Sequence, residues 1–357
     1  MAAATNEVTA GTGLTELMSA RAIAFEEIPV IDIGAMFGSD SAAKLSVARA
    51  IRQASETVGF FYIRNHGVAE RDLERTFELG RRFFDLPLAE KLAIHQRLSP
   101  HHAGYTPLLA ENTNPANKGD LHESFDVVSQ FAHQPAQGHE AGPAASAAAG
   151  LSEDVNLWPA ALPELKEHLN RYFAQVLELG HRLFEVIALS LGLPEAYFEP
   201  YLTQPTAMLR INYYPPQPAQ GDGTQIGIGA HTDYESFTIL AQQPGITALQ
   251  VWNGREWIHA PPIPGAFIVN IADQMQRWTN DTFLSTRHRA INPTGEPRLS
   301  IPFFLGVNYD TVISPLPGCV GADRPSKYPP VIAGEYVLQR LNETYGRVKE
   351  GAAGASA

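Results

Sequence analysis

Residues 227–240 read GIGAHTDYESFTIL, and the two halves of this stretch do different things. The second half opens FTILAQQ (237–243), one of six short apolar or alternating runs between Met208 and Asp310. The others are MLRINYY (208–214), ALQVW (248–252), AFIVNI (266–271), HRAI (288–291) and LSIPFFLGV (299–307). Runs of about four to eight residues, punctuated by Pro and Gly and without helical periodicity between them, read as strands of a sandwich or barrel and not of a parallel α/β sheet. An all-β region is therefore expected here. The first half supplies His231-Thr232-Asp233. At a strand end the side-chain period of two puts that imidazole and carboxylate on one face, within reach of one cation.

An HxD triplet is common by chance, and two ligands hold a metal poorly. A third is available in Ser285-Thr286-Arg287-His288-Arg289-Ala290, where His288 follows His231 by 57 positions on a strand able to return across a barrel. Two neutral imidazoles and one carboxylate on one face of an octahedral ion leave positions open, the arrangement of non-haem Fe(II) oxygenases. Beyond His288, Arg298-Leu299-Ser300 places a guanidinium fork and a hydroxyl on one face of a strand that is otherwise apolar (SIPFFLGV). An inward charge on such a strand needs an anionic partner, and the pair suits a carboxylate.

Upstream, IPVIDI (28–33) and GFFYI (59–63) read as strands. Leu45, Ala48, Ile51, Ala54 and Val58 mark a helix from Ser41 to Val58, and Leu73, Phe77, Gly80 and Phe84 mark another from Glu70 to Asp85. The longest helical pattern starts at Pro163 and runs to Leu191, before Gly192 and Pro194, with a breadth of apolar faces that suggests a helix backing a sheet. A last helix is expected from Ala333 to Tyr345, stopped by Gly346. The expected division is a disordered tail (1–25), an N-terminal region (26–131), a flexible Ala/Gly/Pro/His-rich insertion (132–160), a catalytic domain with its backing helix (161–346) and a second tail (347–357). The insertion has little to bury and so cannot offset its ordering entropy.

The 357 residues are 44% apolar, enough for a dry core, and carry 26 Lys and Arg against 38 Asp and Glu. The resulting net charge of −12 argues against nucleic acid or anionic membrane surfaces as partners. No apolar run approaches a membrane span, and the N-terminus lacks the pattern of a secretory signal. A single cysteine, Cys319, allows neither an internal disulfide nor a Cys-rich zinc cluster, so the expected home is the cytoplasm.

Taken together, IPVIDI, GFFYIRNHGV (59–68), RINYYPP (210–216), GIGAHTDYESFTIL, residues 249–293 and RLSIPFF (298–304) resemble the Fe(II)- and 2-oxoglutarate-dependent dioxygenase superfamily, in the branch with isopenicillin N synthase and the plant-type oxidases. The resemblance spans about residues 28 to 345. The versions GIGAHTDYESFTIL and PPIPGAFIVNIADQMQR (261–277) look more like microbial members, fungal thymine hydroxylase-like enzymes among them. The resemblance implies a mostly β fold with flanking helices around a double-stranded β-helix, or cupin-like jelly roll. It implies His231, Asp233 and His288 as iron ligands, and Arg298, Ser300, Tyr214 and Asn212 as residues that bind 2-oxoglutarate. Phe304 would line the substrate pocket, with Tyr105 and Phe125 as further candidates, while His66 in NHGV would be structural. The implied cofactors are Fe(II), 2-oxoglutarate and dioxygen. The implied reaction couples oxidative decarboxylation of 2-oxoglutarate to C–H oxidation of a small organic molecule, hydroxylation by default, with desaturation or cyclisation open to the same chemistry. Because Arg-x-Ser also occurs in isopenicillin N synthase, an oxidase that uses iron and dioxygen without 2-oxoglutarate is the alternative. Neither substrate nor oligomeric state follows from these residues.

Overall fold

The computed structural model describes residues 21–22, 27–113, 119–129, 155–216, 226–292 and 294–353. Strands β1 (Arg21–Ala22), β2 (Val30–Asp32), β3 (Phe60–Arg64), β4 (Gly104–Thr106), β5 (Glu123–Val128), β6 (Pro205–Tyr214), β7 (Ile228–His231), β8 (Phe237–Gln242), β9 (Leu249–Trp252), β10 (Trp257–His259), β11 (Phe267–Ile271), β12 (His288–Ala290) and β13 (Arg298–Asn308) form two sheets. The larger has the order β2-β3-β11-β8-β13-β6-β5-β4 and the smaller β1-β10-β9-β12-β7. Side chains from both sheets line a single cavity, so the sheets face each other across it. This is the expected jelly roll.

The period of two decides what each strand contributes. On β13, Leu299, Ile301, Phe303, Leu305 and Val307 enter the main hydrophobic core, while Arg298, Ser300, Pro302 and Phe304 face the cavity. On β6, Ala207, Leu209 and Ile211 join the same core, and Met208, Arg210, Asn212 and Tyr214 face the cavity. The two strands pair antiparallel with Arg298 opposite Tyr214, Ser300 opposite Asn212 and Phe304 opposite Met208. Chemistry and core are thus sorted by residue parity alone.

The core side is covered by helices α1 (Ser41–Thr57), α2 (Glu70–Phe84) and α4 (Pro163–Ser190), with a short α3 (Leu88–Leu92) beside them. Asp40 caps α1, its Oδ1 accepting from the N–H groups of Ala42 and Ala43 at 2.9 and 3.2 Å. The buried stripe of α1 is Val47, Ala48, Ile51, Ala54 and Ser55. Leu45, expected in that stripe, is 43% exposed, because the face that meets α4 and β3 is turned toward Val47. Close approach of α4 to the sheet depends on Gly180, where a Cβ would lie 2.3 Å from Leu305 Cδ2.

Several expected boundaries move. The region from Met208 to Asp310 is not purely β: Asp273–Trp278 forms a short helix, α5, whose Met275 and Trp278 are buried in the main core. The last helix, α6 (Ala333–Ala353), runs on past Gly346, since a glycine in a helix interior costs only about 1 kcal/mol and does not by itself stop it. Most of the expected insertion, at 132–154, lies outside the described residues. Its final part is ordered: Val155 and Asn156 are buried, and Asn156 exchanges two hydrogen bonds with the Val128 backbone at 2.8 and 2.9 Å. Arg21 and Ala22, inside the expected N-terminal tail, pair with Ile258 and His259 of β10. No helix among the described residues is long and apolar enough to cross a membrane.

Candidate metal and carboxylate site

His231 ends β7, His288 opens β12, and the two residues are direct partners across that antiparallel pair. Asp233 follows β7 by two residues. The Nε2 atoms of both histidines lie 3.5 Å from Asp233 Oδ1, and the candidate ligand atoms of all three residues fall within 4.8 Å of one another. Each ring is aimed by its other nitrogen: Nδ1 of His231 donates to Gly229 O at 2.8 Å and Nδ1 of His288 to Thr286 O at 3.1 Å. That tautomer leaves both Nε2 lone pairs pointing at one place, the orientation a metal-bound histidine requires. The second carboxylate oxygen is also held, since Asp233 Oδ2 accepts from Thr238 Oγ1 at 2.5 Å and Asn270 Nδ2 at 2.7 Å. Oδ1 is thereby left to the histidines. Burial alone would push the Asp233 carboxyl up, but the two imidazoles outweigh it and hold the group well below the usual carboxylate range. Burial likewise lowers His231, and Asp233 more than reverses this, so its net shift is upward.

Deeper in the cavity Arg298 is 1% exposed, and its Nε and Nη1 have no hydrogen-bond partner among the described residues. Its guanidinium carbon sits 4.7 Å from the centre of the Tyr214 ring, and the Tyr214 hydroxyl lies 3.2 Å from Ser300 Oγ. Burial pulls the Arg298 pKa down, partly offset by Tyr214. A buried cation with two unpartnered donors, flanked by two hydroxyls, has the donor set of a carboxylate receptor. The residues therefore fit both a divalent metal at His231, Asp233 and His288 and an anionic oxygen ligand reaching from it to Arg298.

Phe304 and Asn212 line this cavity as expected, but Tyr105 and Phe125 do not. Phe125 is registered against Ile211 and Tyr105 against Phe125, which puts both on the helix side of the sheet. There Phe125 packs 4.6 Å from Phe83, and Tyr105 donates to Glu123 at 2.5 Å. The aromatic character of the two residues suggested a pocket, whereas strand parity places them in the core. His66 stacks on Phe267 at 4.3 Å, outside the metal cluster. Sequence reading passed over Glu111, Arg210, Tyr234, Glu235 and Arg289, which all line the cavity, and Leu341 and Thr344, which α6 contributes to it. For Arg210 a signal existed, since it precedes Asn212 and Tyr214 by the same even spacing that marked those two.

Known proteins bear on this geometry. Residues 205–307 match the model of the 2OG-Fe(II) oxygenase superfamily, and residues 28–161 match the N-terminal model described as non-haem dioxygenase in morphine synthesis. The 2-oxoglutarate-Fe(II) type oxidoreductase ppzC of Metarhizium rileyi is 36% identical over 329 residues, covering 89% of this chain and 88% of that protein. The chain belongs to the 2-oxoglutarate–Fe(II) oxygenase superfamily. Another member, the homoarginine-6-hydroxylase 2-ODD-233 of Oryza sativa, is 32% identical, with 89% of this chain and 97% of that one covered. Among solved structures, a full-length Neurospora crassa protein in complex with alpha-KG and 5-formyluracil superposes with a TM-score of 0.75 at 29% identity, covering 92% of this chain and all of that one. As a member of the superfamily the protein is an oxidoreductase with Fe(II) and 2-oxoglutarate as cofactors, and it oxidises small molecules. Its relatives favour this over the alternative of an oxidase that dispenses with the keto acid.

Proposed function

We propose that His231, Asp233 and His288 hold the iron of this oxygenase, that Arg298, Ser300 and Tyr214 receive the far carboxylate of 2-oxoglutarate, and that a small organic substrate is hydroxylated at a C–H bond presented beside Phe304. The buried guanidinium of Arg298, with two donors unmet, is the observation that carries the reading: its desolvation is tolerable only if an anion completes it. Iron and 2-oxoglutarate, when bound, supply the oxidising power by activating dioxygen.

What the protein chain supplies is placement. The Gly229 and Thr286 carbonyls fix the imidazole tautomers, and Thr238 and Asn270 hold Asp233 Oδ2, so that Oδ1 would be free to bind the metal. Leu240, Leu249 and Pro302 add apolar surface to the cavity that Arg298 shares with the His-Asp-His cluster, and a low dielectric there would strengthen an ion pair made to Arg298. Asn212, registered opposite Ser300, adds an amide to the same surface. Phe304 offers an aromatic face to the substrate on the outward side.

Anaerobic addition of Fe(II) and 2-oxoglutarate should produce the visible charge-transfer band of the chelate, and a substrate seated beside the iron should shift it. His288→Ala and Asp233→Ala should lose the band and the substrate-coupled release of succinate while keeping the wild-type circular dichroism spectrum. Retention of the band in both variants would refute the ligand assignment. Substrate turnover with no requirement for 2-oxoglutarate would refute the clamp.

A further inference from the structure

The outer half of the cavity carries charges that the iron and cosubstrate sites do not use. Moving along β6 and β13 from the Arg298 and Tyr214 level, past Ser300 and Asn212, the inward positions are Arg210 and Pro302 and then Met208 and Phe304. Arg210 looks at first like a receptor for an anionic substrate, but its donors are taken. Nε and Nη2 donate to the two oxygens of buried Asp126 at 2.6 and 2.9 Å, and Nη1 donates to Glu111 Oε2 at 3.0 Å. Glu111 is further engaged by His122 Nε2 at 3.1 Å, and His122 Nδ1 faces the Gly227 carbonyl at 3.1 Å. Two carboxylates already surround this guanidinium, so Arg210 is not a spare cation for an anion.

Glu235 differs. It lines the same cavity beyond Phe304, with Cγ close to Gly306, where a Cβ would meet it at 3.4 Å. Apart from its own backbone N–H, no described residue donates a hydrogen bond to its carboxylate, and Arg210, already engaged by Asp126 and Glu111, attracts it only from a distance, without forming an ion pair with it. A second acceptor on the cavity wall is short of a donor too: Asn212 Oδ1, on a residue 3% exposed, has no partner among the described residues. 2-Oxoglutarate, a dianion at neutral pH, brings only acceptors and satisfies neither. A substrate that carries donors would satisfy both. Met208, Phe304 and Leu341 add apolar surface to the same cavity, which suits the carbon skeleton of a ligand charged at one end.

We propose that the substrate is a small molecule carrying a basic nitrogen, protonated at neutral pH, which pairs with Glu235 at the outer end of the cavity and so holds the carbon to be oxidised toward His231 and His288. The inference rests on the iron and cosubstrate reading above and narrows its substrate class. Glu235 acts in it as a specificity determinant.

The test uses the full-length protein loaded anaerobically with Fe(II) and 2-oxoglutarate, titrated with matched probes of graded chain length. One series holds ω-amino and ω-guanidino compounds, the other the isosteric alcohols, ureas and carboxylates. Dissociation constants are read from the shift of the visible band, and succinate release is measured afterwards in air. Members of the cationic series should shift the band and bind about tenfold or more tightly than their uncharged isosteres. Glu235→Gln, which keeps the side chain's shape, should abolish that preference. Uncharged or anionic probes that bind as well as the cations, a cation that binds Glu235→Gln as tightly as the wild type, or silence throughout the cationic series would each overturn the proposal. The band formed before any probe is added separates the two readings. Its absence in the wild type sinks the iron and cosubstrate assignment together with this inference, whereas a normal band indifferent to cations sinks the inference alone.

Discussion

Replacing Arg298 with methionine should make the unliganded protein more stable and at the same time cripple its affinity for 2-oxoglutarate. Arg298 is 1% exposed, and two of its nitrogens lack partners. Burying an ion costs several kcal/mol even after the protein relaxes, and the ring of Tyr214, 4.7 Å from the guanidinium carbon, returns about 2 kcal/mol of it. Methionine fills similar space without charge, so the unliganded variant should gain about 1–3 kcal/mol. The cosubstrate should feel the reverse. Removing one partner of a buried, hydrogen-bonded charge pair costs about 2–5 kcal/mol, which weakens binding on the order of 30- to 4000-fold. Thermal denaturation of the anaerobic Fe(II) protein reads both effects. At a 2-oxoglutarate concentration of about 100 times the wild-type dissociation constant, the wild type should gain about 2.7 kcal/mol, and the variant less than about 1 kcal/mol at the same concentration. An Arg298→Met protein that is less stable without ligand, yet stabilised as fully by 2-oxoglutarate, would show that the guanidinium is a structural element and not a receptor.

Thr238→Val removes one of the two donors that fix Asp233 Oδ2, and should weaken Fe(II) binding about 10- to 100-fold in an anaerobic titration without altering the fold. Gly180→Ala should lower the urea midpoint, since the new Cβ would sit 2.3 Å from Leu305 Cδ2, and overpacking of about 1–3 kcal/mol exceeds the helix gain of about 1 kcal/mol. Asp281 accepts from Lys327 Nζ at 2.8 Å and Tyr328 Oη at 2.5 Å; burial alone would raise its carboxyl, but these partners hold it below the usual value. A depressed folded-state value stabilises above the unfolded value of about 4 and loses that contribution as pH falls through the lowered one. The melting temperature of wild type should therefore exceed that of Asp281→Asn at neutral pH, and the gap should close on acidification. Asparagine tolerates the φ of 62° at this position, so a gap independent of pH would discount the ion pair.

Much of the site was legible before any coordinates because strand periodicity is local. His231 and Asp233, or Arg298 and Ser300, share a face whenever their segment is extended, and the residue types then name the chemistry. Tyr105 and Phe125 were named as pocket candidates without that rule, and their registers align them with Ile211 and the helices. Leu45 failed because an apolar periodicity fixes the width of a stripe but not its rotation toward a neighbour. The short helix Asp273–Trp278 was hidden by its length, since fewer than two turns leave too little periodicity to count.

Local sequence, then, pointed to the strand-rich class and to the pairs His231–Asp233 and Arg298–Ser300, each resting on a spacing of two residues, whereas His288, 57 positions from His231, is brought beside it by the pairing of β7 with β12. Only the tertiary structure decided that Arg210 pairs with Asp126, 84 positions away, and with Glu111, 99 positions away, while Glu235 has no ion-pair partner among the described residues. Which charges cancel depends on distances between strands that are remote along the chain, and electrostatic pairing acts through space with no trace in the order of residues.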